Sequence, residues 1–119
     1  MDHTRAYQDN AVTTQSRGGL VVMLYEGAIK FLNQAIAELN AGNMGEKGRY
    51  IGKATDIIIE LNNVLDMGSG GEVAENLRRL YEFMIRHLTD ANCKKDPRMI
   101  RDVVALLEDL NQAWKAIAE

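Results

Sequence analysis

LVVMLYEGAIKFLNQAIAEL, residues 20–39, carries more apolar side chains than one core-facing helix stripe can use. Leu20, Leu24, Ala28, Phe31, Leu32, Ala35 and Leu39 recur at helical spacing, which gathers them on one side of a helix of about 3.6 residues per turn. At roughly 100° per residue, Val22, Met23 and Ile29 fall far from the middle of that stripe, where a solvated helix normally carries charge. Such a helix touches partners on two sides. The rest of the chain supplies the first contact, and the second concerns function.

Outward from this stretch the chain supplies three more helical patterns. Asn40, Gly42 and Asn43 close the first helix, and Asn43 with Glu46 three residues on has the form of a capping box opening the second. That second helix runs to about Asp66 on a broad stripe that includes Tyr50, Ile51, Ala54, Ile57, Ile58, Leu61, Val64 and Leu65, with Ile59 on the opposite face. Met67 to Gly71 reads as a glycine turn. It is no phosphate-binding loop, because no strand precedes it. A third helix spans about Glu72 to Asn92 on Leu77, Leu80, Tyr81, Met84, Leu88 and Ala91, and Phe83 lies off that stripe. Asp96-Pro97 opens the fourth as N-cap and first helical residue. Ile100, Val103, Leu107, Leu110, Trp114 and Ile117 then keep a 3-4-3-4-3 seam.

Residues 1–16 are polar apart from Tyr7 and Val12 and form no periodic face. They read as an N-terminal arm, either a disordered leader or a strap pinned by those two side chains. Ser16 is the expected N-cap of the first helix, and Gly18 and Gly19 should fray its start. The expected fold is therefore all-α: an antiparallel up-down-up-down four-helix bundle over residues 17–119 behind an arm over 1–16.

Composition excludes several function classes. The chain has 119 residues, enough for one domain with its own core. A net charge of −3 and a pI near 5.4 leave no basic surface for a nucleic acid backbone. Cys93 is the single cysteine, so no intramolecular disulfide forms and a reducing, cytoplasmic compartment is expected. No apolar run has the unbroken length of a membrane span, and the N-terminus lacks a secretory signal pattern, so no membrane insertion is expected.

Catalytic and metal constellations are missing as well. A di-metal bundle site needs two inward Glu-x-x-His pairs, whereas the residue three before His87 is Met84, and His3 lies in the polar leader. Cys93 beside Lys94 and Lys95 has no histidine partner in the sequence and reads as inert. No cofactor is expected, and the chain does not read as an enzyme. What remains is apolar surface at Val22, Met23, Ile29, Ile59 and Phe83. Bundle geometry or the arm could cover these side chains. Left open, they suit a groove that accepts a partner's amphipathic helix through anchors at i, i+3, i+4 and i+7.

In order and at these spacings, the residues resemble the flagellar secretion chaperones of the FliS type. The resemblance covers nearly the whole chain: Tyr7-x-x-Asn10-x-Val12-x-Thr14, Ser16-x-x-x-Leu20, Met23-Leu24-Tyr25-Glu26-Gly27-Ala28-Ile29 and Phe31-Leu32. It resumes with Gly70-Gly71-Glu72, Asn76-Leu77, Leu80-Tyr81-x-Phe83-Met84, Leu88-x-x-Ala91-Asn92 and Trp114. One departure is Arg17-Gly18-Gly19, where the family commonly has proline and a helix former. The resemblance implies a chaperone that binds the disordered C-terminal segment of flagellin in the cytoplasm and prevents premature polymerisation. Export-apparatus components are further implied partners, and the free chain is expected as a monomer or weak dimer. It also implies that Tyr7 and Val12 pin the arm across part of the client groove, and the expected partner-binding set is Tyr7, Val12, Val22, Met23, Ile29, Ile59 and Phe83. The rival reading is a four-helix interaction domain that self-associates through the same exposed residues and has no flagellin client.

Overall fold

Four helices follow one another as α1 (His3–Asn40), α2 (Met44–Asn63), α3 (Met67–Lys94) and α4 (Pro97–Ala118). The computed structural model describes the backbone of residues 3–65 and 67–118 and the side chains of residues 18–65, 68 and 70–117; no strand occurs among the described residues. α1 packs on α2 and α4, and α3 packs on the same two helices, so the four close a ring around one core. Contacts between neighbours run in opposite senses. Gly27 faces Ile57 and Phe31 stacks on Tyr50 between α1 and α2; Lys47 reaches Asn92, and Leu61 and Leu65 lie by Tyr81, between α2 and α3.

The buried stripe of α1 is Tyr25, Ala28, Leu32, Ala35 and Leu39, a 3-4-3-4 spacing. It is turned from the expected one, because Leu20 is 51% exposed and Leu24 only half-buried. Tyr25 takes the central place because its hydroxyl finds partners inside, which removes the penalty for burying it. α1 also starts at His3 and not after Ser16. Gly18 and Gly19 cost about 1 kcal/mol each, a local weakness. No proline stands between His3 and Asn40 to remove a backbone donor or clash with the preceding turn. The expected arm is thus helical from His3 onward and continuous with α1. The side chains of Tyr7 and Val12 lie outside the described ones.

α1 ends in a Schellman turn: Gly42 at φ 84° donates to the Leu39 carbonyl at 3.1 Å, and Asn43 donates to Glu38 at 2.8 Å. The expected capping box at Asn43 does not form. Its side-chain amide turns back to donate to the Glu38 carboxylate at 2.8 Å, and Glu46 pairs with Arg49 at 2.7 Å. The Asn43 backbone N–H that the box would offer to Glu46 is already given to the Glu38 carbonyl in the turn that ends α1.

The glycine turn is shorter than expected. A helical turn already begins at Met67 and breaks at Gly71, whose φ of 57° and ψ of −135° are open to glycine. α4 is capped as expected, with the Asp96 carboxylate accepting from the Arg98 N–H at 2.9 Å. That bond holds the Asp96 carboxyl below its ordinary range.

Tyr25, Leu32, Ile58, Leu61, Tyr81, Met84, Leu88, Ile100, Val103 and Leu107 fill the core, and truncating one of its aliphatic members to alanine costs about 2–5 kcal/mol. The α4 seam fades at its end, where Ile117 is 76% exposed. Gly18–Asn40 is long and apolar enough to cross a membrane by composition. Five of its side chains are instead spent on the bundle core.

Candidate functional site: the face between α1 and α4

One residue past core positions 25, 28 and 32, α1 presents Glu26, Ile29 and Asn33, with Lys30, Gln34 and Ala37 beside them. α4 faces these with Glu108, Asn111, Gln112 and Lys115, again next to core positions of its own. Between the two rows runs an open groove of about 740 Å³. Lys115 spans it to the Glu26 carboxylate at 3.1 Å. Both groups are half in solvent, so the pair is worth little in stability and marks the groove's edge more than it closes it.

Two of the side chains that line this groove carry a buried oxygen without a donor, Gln34 Oε1 and Asn111 Oδ1. Asn111 is only 5% exposed. An acceptor buried without a partner forfeits its bonds to water and gains nothing in return, at about 1–3 kcal/mol. Such groups are rare enough in folded proteins to need a reason.

The opposite arrangement lies nearby, less than one turn along α4 from Asn111 and about two and a half turns along α1 from Gln34. Trp114 donates from Nε1 to the Tyr25 hydroxyl at 3.2 Å, and the Tyr25 and Tyr81 hydroxyls share a hydrogen bond, so α1, α3 and α4 are tied through the core. Burial pushes the Tyr25 phenol up, while its bonds with Tyr81 and Trp114 pull it partly back. Burial, with the bond to Tyr25 adding to it, pushes Tyr81 far above the usual phenol range. Beside this network Val21, Leu61, Val64, Leu65, Tyr81 and Trp114 line a smaller apolar cavity of about 210 Å³.

The expected binding residues scatter over three helices. Ile29 is half-buried and lines the groove. Val22 stands seven residues before it in the same helical column, and Met23, 69% exposed, stands seven before Lys30. Both stand N-terminal to the groove, whose α1 wall begins at Glu26. Ile59 on α2 and Phe83 on α3 are exposed as expected, at 42% and 40%, but lie outside the groove. Phe83 stacks on His87, whose Nε2 meets Asp102 of α4 at 3.1 Å.

Leu20, Val64 and Ile117, all expected in the seam, are exposed. Val64 and Ile117 sit at the ends of α2 and α4, whereas Leu20, within α1, falls off the stripe that Tyr25 and Ala28 define. Gln34 and Asn111 were not expected at all. Among the described residues no group of three His, Cys, Asp or Glu could hold a metal ion.

The family model described as "Flagellar protein FliS" matches residues 1–119. The chain is 42% identical over 109 residues to the flagellar secretion chaperone FliS of Vibrio cholerae, covering 92% of this chain and 80% of that protein. It is 40% identical over 111 residues to its Salmonella typhimurium counterpart, covering 92% and 82%. To that of Bacillus subtilis it is 36% identical over 110 residues, covering 92% and 81%.

Proposed function

The chain belongs to the FliS family of flagellar secretion chaperones, which is not a family of enzymes, and from that membership we propose that it binds the C-terminal segment of flagellin in the cytoplasm and delays its polymerisation. The observation that carries this reading is the surplus of apolar side chains. A core already closed by four helices leaves Met23, Ile59 and Phe83 in solvent and Ile29 in an open groove. Surface of that kind is what an amphipathic helix needs for anchoring.

The physical task is to occupy the client's apolar faces before they pair with other copies. A client that folds as it binds gives up about 2–5 kcal/mol or more of its contact energy to ordering. Broad, shallow contact over several helix faces suits such a client better than a deep pocket. Met23, Met44 and Met99, exposed or half-buried, let the surface repack. Tyr7 and Val12 complete the proposed binding set as pins of the N-terminal segment across part of the client's path. No step here needs a nucleotide; release follows from handover to an export component or from competition for the same surface.

The test is co-purification with a flagellin C-terminal peptide. A 1:1 complex, with flagellin self-assembly suppressed in its presence, is the expected result. A folded chain that binds no peptide, or a tight homodimer that buries Ile59 and Phe83 and takes none, overturns the reading.

A further inference from the structure

We infer that the groove between α1 and α4 seats a helical stretch of the client carrying a neutral hydrogen-bond donor, an Asn, Gln, Ser or Thr, in the middle of its apolar face. This rests on the proposed flagellin client and adds what the groove selects for.

Asn111 follows Leu110 at a position continuous with the α4 seam, where leucine would pack without penalty. Instead two groove-lining side chains carry a carboxamide oxygen that is buried with no donor, Asn111 Oδ1 and Gln34 Oε1. The last torsion of each side chain is soft, so a turn of the carboxamide brings its oxygen to an incoming N–H or O–H. The free chain thus holds two unmade bonds that the right occupant completes.

The rim supports a neutral donor over a charged one. Glu26 and Lys115 already neutralise each other at 3.1 Å, and Lys30 and Glu108 add one charge of each sign. No net field is left to draw in an acidic or basic segment. From Glu26 to Ala37 the groove runs about 16 Å at 1.5 Å per residue, three turns of a docked helix. Ile29 gives the apolar contact beside the polar centre.

The experiment is calorimetric titration of a synthetic flagellin C-terminal peptide into the full chain and three variants, with thermal melts of each. Asn111→Leu and Gln34→Met should each raise Tm, because they remove an unpaired acceptor, and yet weaken peptide binding by about tenfold. Asn62→Leu is the control. It removes a third unpaired buried oxygen that does not line the groove, and should raise Tm with Kd unchanged. If either groove variant fails to fold, the other decides. Unchanged affinity in the folded groove variants overturns the inference while leaving the client intact. So does a homodimer that Asn111→Leu dissociates with peptide affinity unchanged, since the occupant is then a second copy. A folded wild-type chain that binds no peptide removes the proposed function itself.

Discussion

Two polar clusters flank the same pair of helices and end in opposite states. At one level of α1 and α4, Tyr25 and Trp114 meet Tyr81 of α3 and satisfy one another. At the other, the side-chain oxygens of Gln34 and Asn111 are buried and unpaired. Burial alone therefore does not distinguish structural from functional polarity. A closed network holds helices together; an open one holds unspent bonding capacity, and the apolar side chains near it give a partner reason to come.

The largest effect should come from breaking the closed cluster. Tyr25→Phe removes the shared acceptor of the Trp114 N–H and strands the Tyr81 hydroxyl, and should lower the unfolding free energy by about 2–3 kcal/mol in a denaturant titration. The corresponding change in the open cluster should have the opposite sign. Asn111→Leu is expected to raise stability by about 1 kcal/mol, checked by the same titration. Equal losses in both would erase the contrast.

Alkaline pH sharpens it further. Both phenols titrate higher in the folded chain than in the unfolded one. Their contribution is therefore fully present below the unfolded value of about 10 and is lost as pH rises toward the folded values. Stability should fall above about pH 10, and the fall should be shallower in Tyr81→Phe. The smallest effect lies outside both clusters. The Asp96 carboxyl is held low by the Arg98 N–H, so its contribution is present above the unfolded carboxyl value and fades as pH falls through the folded one. Asp96→Ala should soften acid unfolding without touching the tyrosine-linked limb, as read by melts across pH.

Much of the bundle was legible because burial follows spacing. Ile51, Ala54, Ile58 and Leu61 on α2, and Tyr81, Met84, Leu88 and Ala91 on α3, stand where period 3.6 puts them. The stripe on α1 was harder to centre, since residues 20–39 are apolar on more than one face. The deciding fact, that the Tyr25 hydroxyl meets Tyr81 and Trp114, lies 56 and 89 residues away along the chain. Local pattern cannot see such a partner. The start of α1 was misplaced because a segment without an apolar face gives no periodic signal even when it is helical.

The candidate groove was legible only on its apolar side, in Ile29. Its polar floor had one readable trace, Asn111 following Leu110 in an otherwise apolar seam. A polar residue there reads as surface until its burial is known. Gln34 carried no trace at all, because a glutamine one residue before a core alanine is ordinary on an amphipathic helix.

The most direct measurement follows both clusters at once. Titrating the flagellin C-terminal peptide into nitrogen-15-labelled protein reports the side-chain amides of Gln34 and Asn111 and the indole of Trp114 in one spectrum. The Gln34 and Asn111 signals should shift in saturable fashion with the Trp114 indole unmoved. A shifted indole with both amides still, or no shift anywhere in a folded chain, contradicts the division between a closed core and an open groove.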